Sequence, residues 1–270
     1  MDLIYEIISY GFIQKALVVG ILIAISSAVL GIFLVLKKYS MIGDGLSHVG
    51  FFAVALALIL NQSTLLVSLP IVVIASLLIK YLSSKADLEG DAAIGLISSS
   101  SMALAIFFVS ITRGMNADIN SYLFGSILAI NNTELILSIV LSVIVILIAI
   151  LLYNRLFAIT FDEEFAKATG ISVNLYNNIL LVLTSIIIVL GIKILGSLLI
   201  SSLIIFPTIS ALKISKSFKS TIFIAVIISI TAVVFGIFLS SIIDIPTGAT
   251  IVLTNLLIYL ILSIYRFVRR

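Results

Sequence analysis

The chain contains no cysteine and only one histidine, His48, among its 270 residues. The absence of cysteine excludes disulfide bonds, thiolate metal sites and cysteine nucleophiles. No glycine is followed by lysine, so there is no G-x-x-x-x-G-K-[ST] nucleotide-binding loop. H-E-x-x-H and G-x-S-x-G motifs are also absent. The sequence therefore predicts a protein that is not an enzyme and does not hydrolyse ATP through a loop of its own.

Charged residues are also scarce. They make up 10% of the chain, against 62% hydrophobic residues and a mean hydropathy of +1.39. A soluble domain has about 25% charged residues, and a disordered chain has the opposite composition. The composition therefore predicts an all-α polytopic membrane protein in which residues 1–270 form one transmembrane domain.

Apolar runs of about 20 residues, the length that spans a bilayer, predict about nine membrane-spanning helices. The predicted spans are 16–36, 41–60, 65–82, 93–112, 134–153, 178–192, 194–212, 220–240 and 248–265. The sixth and seventh form one apolar stretch, which we interpret as a hairpin with Lys193 at its tip. A snorkelling surface charge is the favoured interpretation of Lys193, and a counter-ion is the alternative. If this hairpin is absent, the number of spans falls to eight.

Basic residues predict the orientation, because loops rich in Lys and Arg remain in the cytosol. Twelve of the 15 basic residues fall in the loops after the odd-numbered spans. Lys15, Arg113 and Lys193 fall on the other side. The bias predicts an external N-terminus and a cytosolic C-terminus in a prokaryotic plasma membrane.

Two ionisable residues near the start of the second span are candidate metal ligands. Asp44 and His48 are four residues apart, so a helix places them on one face. Ionisable residues inside membranes are usually functional, and carboxylate with imidazole suits Zn²⁺, Mn²⁺ and Fe²⁺. The alternative is that Asp44 caps the helix and His48 is a satisfied core residue. Glycines at 43, 45 and 50 permit close backbone approach.

Two loops hold further candidates. The cytosolic loop 161–170 begins with acidic residues and ends at Gly170, which predicts a short helix that either docks on a cytosolic partner or lies on the membrane surface. The external loop 241–248 contains Asp244, Pro246 and Gly248, for which a turn is the favoured interpretation and metal binding by Asp244 the alternative.

The order and spacing of these stretches resemble the permease subunits of ABC importers for zinc and manganese, the ABC-3 family. The resemblance covers almost the whole chain. It is carried by GIFLVLKK at 31–38, GDGLSH at 43–48, GDAAIG at 90–95, YLFGSIL at 122–128, FDEEFA at 161–166, IFPT at 205–208 and DIPTG at 244–248.

The resemblance implies a type II ABC importer-like fold and a homodimer of permeases. It also implies two cytosolic ATPase subunits, an extracytoplasmic metal-binding protein and no permanently bound cofactor. It implies that Asp44 and His48 line the path of the transported Zn²⁺ or Mn²⁺. The residues that it assigns to the coupling helix on the ATPase are Phe161, Asp162, Glu163, Glu164, Phe165, Ala166 and Gly170.

The resulting hypothesis is a transmembrane permease subunit of an ATP-driven importer of divalent transition metals. The alternative is a proton-coupled secondary carrier, and a non-transporting membrane scaffold is a third class. One chain supplies only two ligands, whereas tightly bound transition metals take three or four. We therefore expect one ion to be shared by Asp44 and His48 of two chains, with the glycines at 43, 45 and 50 letting the two helices approach.

Overall fold

A computed structural model describes residues 9–85, 89–111, 122–125, 131–197 and 199–268. These residues form helices and connections, with no strand in the described ranges. The helices are α1 (Gly11–Leu36), α2 (Ile42–Ile59), α3 (Thr64–Lys85), α4 (Gly90–Ile111), α5 (Asn132–Leu151), α6 (Tyr153–Phe161), α7 (Glu163–Ala168), α8 (Val173–Leu195), α9 (Ile200–Ile214), α10 (Phe218–Ile243) and α11 (Thr247–Val268).

Eight of the helices described are long and apolar enough to cross a membrane, and α9 is a shorter apolar helix of 15 residues. The predicted all-α membrane class is confirmed. Helices α1, α2 and α8 are the most buried of the eight, and α8 contacts α1, α2, α3, α5 and α9. By contrast, α4 and α11 are largely exposed, which suits helices that face lipid. The core of the bundle therefore lies around α8, and α2 with its two ionisable residues is part of it.

The predicted hairpin after span six is present but displaced. Helix α8 continues through Lys193 to Leu195 and ends at Gly196, whose φ of 82° is accessible mainly to glycine. The predicted boundaries at 192 and 194 are wrong, because Lys193 lies in the last turn of α8 rather than at a tip. The charge of Lys193 is paired with Glu134 inside the protein, so the helix can continue past this residue.

Helix α9 connects the two ends of the bundle although it is short. Beside its start, Leu199 lies against Gly248 at the beginning of α11, and near its end Lys213 donates a hydrogen bond to Ser263. At 1.5 Å per residue its length is about 22 Å. Helix α9 packs against α1, α2, α10 and α11, so protein surrounds it on several sides.

The end of the bundle opposite Gly196 is closed by an aromatic cluster. Phe218, the first residue of α10, contacts the rings of Phe33 on α1 and of Tyr153, Phe157 and Phe161 on α6. We call this the α7 end, because α7 follows α6 directly. The cluster attaches α6 to two membrane-spanning helices and so sets the position from which α7 begins.

Candidate metal site and coupling segment

One stripe of α2 is open, and it contains both candidate ligands. Between Ile42 and Ala57 the partly exposed positions are Asp44, His48, Phe52 and Leu56, and every other residue is buried. Their spacing of four residues places them on one helical face. The structure therefore brings Asp44 and His48 together at the one side of α2 that the described helices leave accessible.

The glycines of α2 explain why its other sides are closed. A Cβ on Gly43 would lie 3.1 Å from Ile204 of α9, one on Gly45 2.5 Å from Ile94 of α4, and one on Gly50 2.3 Å from Ile192 of α8. Each glycine therefore permits a close contact within the chain. The expectation that these glycines admit the α2 helix of a second copy is wrong, because helices of the same chain occupy those positions.

The two candidate ligands are separated by a distance that suits one shared ion. His48 Nε2 lies 3.7 Å from Asp44 Oδ2, which is too long for a hydrogen bond. Two ligand atoms at about 2.1 Å from a tetrahedral zinc ion are about 3.4 Å apart. A shift of a few tenths of an ångström would thus let both atoms bind the same cation.

The alternative, in which Asp44 caps α2 and His48 is a satisfied core residue, finds less support. His48 Nδ1 is buried and has no hydrogen-bond partner among the described residues, so His48 is not a satisfied core histidine. The N-cap position of α2 is Met41, and no side chain caps the helix there. Within the described part of the chain, no group of three or more His, Asp and Glu residues is placed to hold a metal. The described part of one chain therefore offers a two-ligand site, in which the Asp44 side chain is 40% exposed and the His48 side chain 18%.

The segment after α6 forms the short helix that the sequence predicts. Asp162 is the N-cap of α7 and accepts a hydrogen bond from the Phe165 amide at 2.9 Å. Gly170 has a φ of 82° and follows the last turn. Of the predicted coupling residues, Ala166 is fully buried in the core, whereas Glu164 and Phe165 are exposed. Helix α7 therefore has one side on the bundle and one side free.

Glu163 anchors the inner side of α7. Its carboxylate accepts hydrogen bonds from Lys37, at the end of α1, at 2.5 Å and from Asn177 on α8 at 3.2 Å. Burial raises the pKa of the Glu163 carboxyl, but these hydrogen bonds and the charges of Lys37 and Lys167 outweigh burial, so the pKa lies below its ordinary value. Glu163 is therefore ionised at neutral pH.

Comparison with known proteins identifies the family. Residues 9–266 match the model of the ABC 3 transport family. The chain belongs to this family. It is 30% identical to the manganese import system permease protein ScaB of Streptococcus gordonii, over 93% of this chain and 90% of the relative. It is 31% identical to the high-affinity zinc uptake system membrane protein ZnuB of Haemophilus influenzae, over 93% and 96%.

A solved structure agrees with this assignment. PsaBC from Streptococcus pneumoniae in complex with Fab is 31% identical and superposes with a TM-score of 0.87, covering 97% of this chain and 94% of that chain. The predicted family and the predicted role as an ABC-transporter permease are confirmed, as is the prediction that ATP hydrolysis lies in a separate subunit. The alternative of a proton-coupled carrier finds no support among these relatives.

The ABC 3 permease also contains a buried ion pair that the sequence analysis missed. Lys193 on α8 donates to Glu134 on α5, and each side chain is only 12% exposed. Glu134 also forms a capping box with Asn131. The expectation that Lys193 is a surface charge is wrong, because a partner 59 positions away neutralises it. The local sequence signal near this ion pair is the spacing of Asn131 and Glu134, which is that of a capping box.

The last predicted site residues lie between α10 and α11. Asp244 is exposed and has a left-handed conformation, with φ 58° and ψ 45°, at the C-cap of α10. Pro246 precedes α11, and Gly248 is buried against the Leu195 carbonyl at the end of α8. These positions form a connection between helices. In the described part of the chain Asp244 belongs to no cluster of metal-ligating residues.

Proposed function

We propose that this permease carries Zn²⁺ or Mn²⁺ across the plasma membrane and holds the ion transiently between Asp44 and His48 of two copies. The observation that supports this most is the pair of ligand atoms 3.7 Å apart on the open stripe of α2. A closed, tight site would not release the ion, whereas two pairs of ligands from separable chains can bind and let go. The named relatives import manganese or take up zinc, and the proposed donor set suits both metals.

The shared site is tested by the number of ions bound per chain. The purified transporter complex should bind one Mn²⁺ or Zn²⁺ per two permease chains at this site. Asp44→Ala and His48→Ala should each remove that ion, because each deletes two of the four proposed ligands. Asp91→Ala, which removes an exposed carboxylate from the first turn of α4, should leave it bound. One tightly held ion per chain would contradict the shared site.

The transported metal can be identified by measuring which metal accumulates in cells. In a deletion strain that carries this chain and its partner subunits, the cell content of manganese, zinc and iron should be measured together. Restoration of one metal identifies the substrate. Restoration of none of them, with the transporter assembled, would contradict transport of these metals.

We propose that the exposed side of α7 docks on a cytosolic ATPase and that an extracytoplasmic binding protein delivers the metal. Glu164 and Phe165 are exposed and project from a helix fixed to the bundle. An exposed aromatic side chain beside charged ones is typical of a protein interface. Membership of the ABC family, whose transporters contain a separate ATPase, supports this assignment.

The proposed orientation has an external N-terminus and a cytosolic C-terminus. Because the chain has no cysteine, single cysteines can be labelled without background. In intact cells, Ser63→Cys between α2 and α3 should react with a membrane-impermeant thiol reagent. Ser84→Cys and Thr169→Cys at the α7 end should react only after the membrane is opened. Labelling of Thr169→Cys from outside would reverse the orientation.

A further inference from the structure

We propose that the ion pair between Lys37 and Glu163 transmits movement of α7 to the metal-ligating helix α2. Lys37 and Glu163 would then be positioning residues for transport, acting on Asp44 through the backbone rather than by contact with the ion. This inference rests on the proposed function, because it requires that α7 receives the movement of an ATPase and that α2 holds the metal.

Helix α7 is attached to the bundle through its inner side. Two of its side chains, Glu163 and Ala166, are three positions apart and lie on that side, with the Glu163 side chain 44% exposed. Ala166 makes an apolar contact, which is non-directional. Glu163 makes the polar contacts of α7 with α1 and α8 that the structure describes. Besides the covalent connections to α6 and α8, Glu163 therefore gives α7 a directional link to the bundle.

Two hydrogen bonds hold the ammonium group of Lys37 in place. Its side chain is 5% exposed, and its ammonium group donates to Glu163 and, at 3.0 Å, to the carbonyl of Ile159 on α6. A buried ammonium group needs a negative partner, because leaving it unpaired in a region of low dielectric is costly. Glu163 is the carboxylate that the structure places on it. Lys37 should therefore follow Glu163 when α7 moves.

A short connection joins Lys37 to Asp44, which lies seven positions later in the chain. Two backbone hydrogen bonds brace the connection: the Tyr39 amide donates to the Leu34 carbonyl at 2.8 Å, and the Ile42 amide donates to the Tyr39 carbonyl at 3.1 Å. Lys38 lies in the short turn between α1 and α2 and has a φ of 62°, in the left-handed region. A turn of this kind transmits displacement, whereas a slack loop would absorb it.

Asp91 is a matched control in the first turn of another helix, α4. It has the same charge as Glu163 and is likewise exposed, but no ion pair joins it to the bundle in the described structure. If only a negative charge in the first turn of a helix mattered, neutralising either residue would have the same effect. If the ion pair transmits movement, only Glu163 should matter for coupling.

The test uses the complete transporter reconstituted in proteoliposomes, with its ATPase and binding protein. Transport of Mn²⁺ and Zn²⁺ and hydrolysis of ATP are measured in the same sample, and their ratio is the readout. Glu163→Gln and Lys37→Met should keep ATP hydrolysis within about twofold of wild type and lower the ratio at least tenfold. Asp91→Asn and Lys37→Arg, which keep the ion pair, should keep the ratio within about twofold.

Three outcomes would overturn the inference. The first is a wild-type ratio in Glu163→Gln, and the second is an equal fall in Glu163→Gln and Asp91→Asn. The third is loss of ATP hydrolysis and of ATPase co-purification in Glu163→Gln with Asp91→Asn unaffected, which would make Glu163 a docking residue instead. Failure of the proposed function gives a different result, because wild type itself would then show no ATP-dependent metal transport.

Discussion

The buried pair of Lys193 and Glu134 gives a prediction whose size can be worked out. Glu134→Gln removes the negative charge but keeps an oxygen that can accept from the Asn131 amide, so the capping box survives. What is lost is the attraction between two charges near contact, about 4 kcal/mol at an effective dielectric constant of 20. What remains is an ammonium group without a carboxylate partner, 5.8 Å from the centre of the Tyr122 ring, on a side chain that is 12% exposed. We therefore expect Glu134→Gln to destabilise the protein by about 3–5 kcal/mol.

The assay is thermal unfolding of the purified permease, with a double variant to isolate the pair. For a chain of this size, 4 kcal/mol corresponds to a fall of roughly 8–16 °C in the unfolding midpoint. Lys193→Met should cost a similar amount, since it leaves the buried Glu134 carboxyl group without its partner. The double variant should lie within about 1–2 kcal/mol of wild type, because replacing both partners leaves no unpaired charge. An unchanged midpoint in Glu134→Gln, or a double variant as unstable as the sum of the singles, would refute the reasoning.

Three further predictions follow from single positions. Gly248→Ala should lower the unfolding midpoint, because its Cβ would lie 1.9 Å from the Leu195 carbonyl oxygen, whereas Gly95→Ala, which meets nothing within 4 Å, should leave it unchanged or raise it. Glu164→Arg should insert normally but lose metal uptake and co-purification of the ATPase, and full uptake would contradict docking through α7. The difference in free energy of unfolding between wild type and Glu163→Gln should be constant from about pH 8 to about pH 5 and should shrink below that. The reason is that the lowered pKa of Glu163 gives stability that is lost as pH falls through it. A difference that grows in acid would contradict this prediction.

The sequence is a good guide wherever the signal is local. Asp44 and His48 stand out because they interrupt an apolar run at helical spacing, and the structure places them on one open face of α2. The short helix after Asp162 is likewise encoded by its own cap and its terminal Gly170.

Pairings between distant residues could not be predicted in this way. Lys193 interrupts an apolar stretch, which is typical of the end of a membrane-spanning helix. Its charge is instead neutralised inside the bundle by Glu134, 59 positions earlier. Lys37 is a useful marker of orientation in the sequence, but its contact with Glu163 spans 126 positions. The partners of the α2 glycines were also misjudged, because a glycine shows that something approaches closely without showing what approaches.

The short length of α9 bears on how this protein responds to the lipid around it. A helix that faces lipid must match the thickness of the hydrocarbon layer or tilt to fit it. Because α9 packs among α1, α2, α10 and α11, the bilayer does not set its length. The match to the bilayer falls instead on α4 and α11, exposed helices of 22 residues, or about 33 Å each. In thinner or thicker membranes these two outer helices should therefore change tilt before α9 does.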